Sequence, residues 1–113
     1  MTKTAFAWFF AVTASVALAQ PPGKSFELAL AGGRIAAERS TLRVKKVDKV
    51  ELRWTSDRPI ALHLHGYDLE TKVGPQAPAS MSFTASIAGR FPVTEHTRGA
   101  HHHRAVLYLE VHP

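Results

Sequence analysis

The chain contains no cysteine. Without disulfides, a small domain must hold together through its apolar core alone. The same absence removes any cysteine nucleophile, any iron–sulfur cluster and any thiolate ligand for a metal. Methionine is nearly missing too, with two residues, and the only one beyond the N-terminus is Met81. Clustered charge is also lacking. Fourteen Lys and Arg stand against nine Asp and Glu, and only Lys45 and Lys46 are adjacent. Nucleic-acid binding calls for basic residues gathered on one face or tail, so that partner is not expected.

No apolar run is long enough to span a membrane. The first nineteen residues, "MTKTAFAWFFAVTASVALA", have Lys3 as a basic start, an apolar stretch from Ala5, and Ala17 and Ala19 at small-residue positions. That pattern predicts a secretory signal peptide over residues 1–19, cleaved before Gln20. The stretch is shorter than the about 20 residues a span needs, and Pro21, Pro22 and Gly23 break any helix. Residues 20–113 then form one small domain, periplasmic or secreted, with no stable membrane span after cleavage.

Helical periodicity is likewise missing. Only "AGGRIAAERS" approaches an apolar helical stripe, and its two glycines argue against one. What is present is alternation with a period of two, the mark of half-buried strands. "SFELAL" places Phe26, Leu28 and Leu30 on one side, and Gly32–Gly33 then offers a hairpin turn. "TLRVKK", "KVELRWTS", "IALHL", "SMSFTASI", "RFPVTEH" and "RAVLYLEV" alternate in the same way, and Ile87 closes the apolar face of the fifth of these seven segments. About seven short strands separated by turns predict an all-β sandwich, with Trp54 buried beside Val50 and Leu52.

Three pieces carry a likeness to a known family: "KKVDKVEL", the strand end "HLHGYDL", and "FTASIAGRF" at residues 83–91. Over residues 41–113 the sequence resembles the cupredoxin-like family of exported Greek-key β-sandwiches, with Val47 where such proteins usually have Gly. The resemblance implies a copper site, which in the blue type uses two His, one Cys and a weak axial Met. The Cys would come about where Glu95 stands, and this chain has none. What can be carried over is the histidine half: His63 or His65 from the middle strand, and His96 or one of His101, His102 and His103.

Histidines at i and i+2 on a strand point to the same side, so His63 and His65 can present two imidazoles together. Imidazole suits Cu(II), favoured here, and Zn(II), with Glu95 or Asp68 as neighbouring carboxylates. The expected metal ligands are His63, His65 and His96, with the His101–His103 run as weaker candidates. The alternative is that these are ordinary polar residues opposite the Ile60, Leu62 and Leu64 face. The chain is then a metal-free module that binds a periplasmic protein partner or the cell envelope. No catalytic role is expected: Ser80, Ser82 and Ser86 alternate on a strand as outward serines do, and no carboxylate pair stands out.

Overall fold

The computed structural model describes residues 3–5, 7–15, 23–96 and 104–113. The expected signal-peptide junction at Ala17–Gln20 lies outside the described residues, as do His101, His102 and His103. Residues 3–5 and 7–15 are exposed and carry no strand or helix. No helix among the described residues is long and apolar enough to cross a membrane.

Eight strands follow in order: β1 (Lys24–Leu30), β2 (Thr41–Lys45), β3 (Lys49–Ser56), β4 (Ile60–Leu64), β5 (Leu69–Val73), β6 (Ala79–Thr84), β7 (Gly89–His96) and β8 (Arg104–His112). They form a three-stranded sheet in the order β1-β3-β6 and a five-stranded sheet in the order β2-β8-β7-β4-β5. The chain changes sheets between β1 and β2, β2 and β3, β3 and β4, β5 and β6, and β6 and β7, giving a Greek-key sandwich. Two pairings are parallel, β1 with β3 and β2 with β8. The rest are antiparallel.

The alternating residues do what their spacing requires. Val50, Leu52 and Trp54 of β3 are buried, as are Ile60, Leu62 and Leu64 of β4 and Leu107, Leu109 and Val111 of β8. Leu28, Leu30, Leu42, Val44, Val73, Met81, Ala85 and Val93 belong to the same buried core. Each large apolar side chain so removed from water contributes about 1.5–3 kcal/mol, which substitutes for the missing disulfides.

The structure corrects three expectations. β5 is an eighth strand that alternation did not reveal, because "LETKV" lies at a sheet edge and buries only Val73. Gly32 and Gly33 do form a tight turn at φ of 58° and 74°, bridging Ala31 to Arg34. Beyond it the chain crosses to the other sheet, so no hairpin joins β1 to β2. Ile87 is 49% exposed because β6 ends at Thr84.

The turn after β4 is fixed from both sides. Gly66 adopts φ of 87°, and a side chain there would collide with the Phe91 ring. Tyr67 packs on Phe83 and Phe91 at centroid distances of 4.8 and 5.1 Å. Its hydroxyl donates to the Ile87 carbonyl at 2.8 Å and accepts from the Ile87 amide at 3.2 Å. The β6–β7 connection is thereby tied to the end of the histidine strand.

Val47 and Asp68 are the non-glycine residues with positive φ among the described residues, and the β-branched Val47 is the more strained. It has φ of 79° and a side chain 73% exposed, in the turn closed by Asp48 accepting from the Lys45 amide at 2.9 Å. A left-handed conformation costs an L-residue roughly 1–2 kcal/mol, and a β-branched residue is particularly unsuited to it. Glycine relieves that cost but loses about 0.5–1 kcal/mol to its larger unfolded-state entropy. Val47→Gly is therefore expected to stabilise the protein by about 0.5–1 kcal/mol. A denaturant midpoint that falls instead would mean the valine makes contacts that outweigh its backbone strain.

Candidate metal centre

The β4 alternation that buries Ile60, Leu62 and Leu64 turns Ala61 and His63 to the outer face of the five-stranded sheet, and His65, expected on the strand, is the first residue of the turn that follows. On β7, Ala61 is opposite His96 and His63 is opposite Thr94. On β5, Ala61 is opposite Lys72 and His63 is opposite Glu70. Strand pairing therefore brings His96 diagonally beside His63.

The three imidazoles form one cluster. His63 lies between the others, with ring centroids 4.2 Å from His65 and 5.3 Å from His96. One nitrogen from each of the three falls within 4.8 Å of the others. All three side chains are half-buried. Two imidazole nitrogens on one ion at bond lengths near 2.0–2.1 Å can be no more than about 4 Å apart. A pair 4.8 Å apart must therefore close by about 0.6 Å to bind on opposite sides of an ion and by about 1.5 Å to bind at a tetrahedral angle, which turns of the χ angles would supply. Three neutral imidazoles with no thiolate are a donor set suited to Cu(II) or Zn(II).

Thr94 holds the cluster from below. Its hydroxyl is 2.8 Å from His65 Nε2, and the residue is 6% exposed. A hydrogen bond at one ring nitrogen orients a histidine and selects its tautomer, as the outer partners of metal-bound imidazoles do. The sequence reading missed Thr94. Its signal was the i, i+2 relation to His96, which sets both on the same side of β7.

The carboxylates divide. Glu95 is opposite Leu62, so it leaves the histidine face, and Arg58 Nη2 lies 3.5 Å from it. That removes it as a companion ligand, contrary to the sequence expectation. Asp68, 97% exposed, lies 3.9 Å from His63 Nε2, beyond hydrogen-bonding range. The nearby Arg58 and Asp57 instead tie the strand connections together. Asp57 accepts from the Gly32 amide at 3.0 and 3.1 Å.

No family model matches the sequence, and no curated protein matches it. Solved structures do. A copper-binding protein in its apo form superimposes with a TM-score of 0.60 at 13% identity, over 82% of this chain and 92% of that one. A multicopper oxidase gives a TM-score of 0.62 at 17% identity, over 81% of this chain and 39% of that one. The fold is cupredoxin-like. A chain of a heme-copper terminal oxidase dimer matches this cupredoxin-like sandwich with a TM-score of 0.63 at 18% identity, over 78% and 64% of the two chains. The cupredoxin-like chain thus spans nearly the whole of a copper-binding protein but under two-thirds of either oxidase chain.

Proposed function

We propose that the protein is an exported, cupredoxin-like copper-binding protein. In this reading residues 1–19 are a signal peptide, and residues 20–113 form the domain that acts in the periplasm or outside the cell. His63, His65 and His96 hold Cu(II) in a storage, delivery or sensing role, without a thiolate and without catalysis. One observation carries the reading: imidazoles from β4, from the turn that follows it and from β7 meet on one sheet face, with nitrogens within 4.8 Å. The Thr94 hydroxyl at His65 Nε2 supports it, because an ordinary surface histidine needs no buried orienting partner. So does the likeness in fold to a copper-binding protein of similar length.

A bound copper ion would supply a Lewis-acidic cation, and the chain supplies its orientation. His63 is fixed by the β4 pleat, His65 by its amide donating to the Pro92 carbonyl at 3.1 Å and its ring by Thr94, and His96 by its pairing opposite Ala61.

The reading is tested by assaying untagged protein for metal as purified, then titrating it with Cu(II), Cu(I) and Zn(II). One tight Cu(II) equivalent per chain is expected, pale in colour, with no intense sulfur-to-copper charge-transfer band. Protons and metal compete for the same imidazole nitrogens, so binding weakens toward acid pH. If none of these ions binds tightly, the metal-free module that binds a protein partner or the envelope is the better account.

Thr94→Val keeps the size of the side chain and removes the oxygen that orients His65. Loss of such an outer partner is expected to lower Cu(II) affinity about 10- to 100-fold. Unchanged affinity in a folded Thr94→Val protein would reduce the hydrogen bond to ordinary core polarity.

A further inference from the structure

The side chains around the histidine cluster leave a depression at Ala61. A single methyl group stands there, between His96 on β7 and Lys72 on β5, with His63 two residues along the same strand. The result is a cleft of about 410 Å³ lined by Ala61, Glu70, Thr71, Lys72 and His96. A second hollow of about 300 Å³ shares Ala61, Lys72 and His96 with it. One wall of the cleft is therefore a residue of the cluster. Among the described residues, the cluster of His, Asp and Glu side chains able to share one ion holds these three histidines and no carboxylate.

We propose that a metal held by His63, His65 and His96 keeps a coordination position open toward this cleft, and that the position takes a small exogenous anion. The inference rests on the copper-binding reading above. Three protein ligands with a vacant position are the arrangement that lets a metal bind an outside molecule, whereas a closed four-ligand site does not. Three neutral imidazoles leave the full double charge of Cu(II) uncompensated, which favours an anion over a neutral ligand. Lys72 adds a second positive charge at the cleft. It is exposed and has no ion pair among the described residues. Glu70, opposite His63, is the carboxylate in the cleft lining, and its charge opposes an anion there.

Azide is the probe, because it is a small anion whose ligation to Cu(II) produces its own charge-transfer band. The full chain is first titrated with Cu(II), and the loaded protein is then titrated with azide, followed by absorption and electron paramagnetic resonance. A saturable azide-to-copper band is expected. Ala61→Val narrows the cleft beside His96 by two methyl groups and should weaken azide binding several-fold by crowding, while leaving Cu(II) affinity unchanged. Lys72→Met should weaken azide by about two- to fivefold, the size of one exposed charge interaction, and Glu70→Gln should strengthen it by a similar factor. Copper-loaded protein that shows no azide band overturns the inference and leaves the copper-binding reading intact. So does an Ala61→Val protein that takes azide as the wild type does, or a Glu70→Gln protein that loses copper, since Glu70 would then be a fourth ligand. If no Cu(II) binds in the first titration, both fall together, and that step shows it before azide is added.

Discussion

Trp54→Ala is expected to lower the stability of the protein by about 3–5 kcal/mol, the range for truncating a large buried aromatic. Trp54 is fully buried and heads the largest side chains of the core. It sits in the central strand of its sheet, opposite Leu28 of β1 and Ala79 of β6. Loss on that scale is a large share of the about 5–15 kcal/mol that holds a typical domain together. A chain with no cysteine has no covalent reserve to offset it. The indole Nε1 is buried, and none of the described residues accepts a hydrogen bond from it. Trp54→Phe therefore gives up ring volume but no hydrogen bond, and should cost distinctly less than the alanine variant. Denaturant unfolding followed by circular dichroism measures both, since the substitutions remove a fluorescent probe. Equal losses for the two variants would show that the indole nitrogen matters after all. An unchanged midpoint for Trp54→Ala would mean that the β3 packing is wrong.

His63→Ala is expected to reduce Cu(II) affinity by more than about 100-fold. Four-ligand zinc sites in small domains are worth about 10–16 kcal/mol, roughly 2.5–4 kcal/mol per ligand, and about 1.4 kcal/mol is a tenfold change. His63 is the middle of the cluster, in ring contact with both other members, so its loss also separates His65 from His96. The fold should barely respond. His63 projects from the face opposite Leu62 and Leu64, and substitutions outside the core usually stay within about 0.5 kcal/mol. Isothermal titration with Cu(II) and a denaturant curve on the same sample separate the two effects. A variant that binds copper normally would return His63 to the status of a polar surface residue. One that loses copper because it no longer folds would show the cluster to be structural.

Period-two alternation was enough to place seven of the eight strands, because a residue on a half-buried strand reports its face through its parity. It could not reveal β5, whose edge position lets Glu70 and Lys72 stand exposed and leaves only Val73 fully buried. Nor could it tell that β1 pairs in parallel with β3, since the pairing is made across a sheet change and local sequence carries no trace of it. In the site, the i, i+2 spacing of His63 and His65 was legible on its own. His96 needed the fold, because its nearness to His63 depends on the register of β4 against β7. Glu95 shows parity ignored: it alternates with Phe91 and Val93, not with Thr94 and His96, so its departure from the histidine face was readable. Val47 shows the reverse. The sequence shows a valine where the resemblance implies glycine, and only the turn, which holds it at φ of 79°, shows what that difference costs.

The ligand set is the centre of this account, and pulsed electron paramagnetic resonance on the Cu(II)-loaded protein addresses it directly by counting imidazole nitrogens bound to the ion. The measurement is best made on a chain with His101, His102 and His103 all replaced by Ala, so that only His63, His65, His96 and His112 remain. Three bound imidazoles are predicted, falling to two in each single variant His63→Ala, His65→Ala or His96→Ala that still retains copper. A chain that loses its copper with the His101–His103 triplet, while the triple variant of His63, His65 and His96 keeps it, would contradict the account.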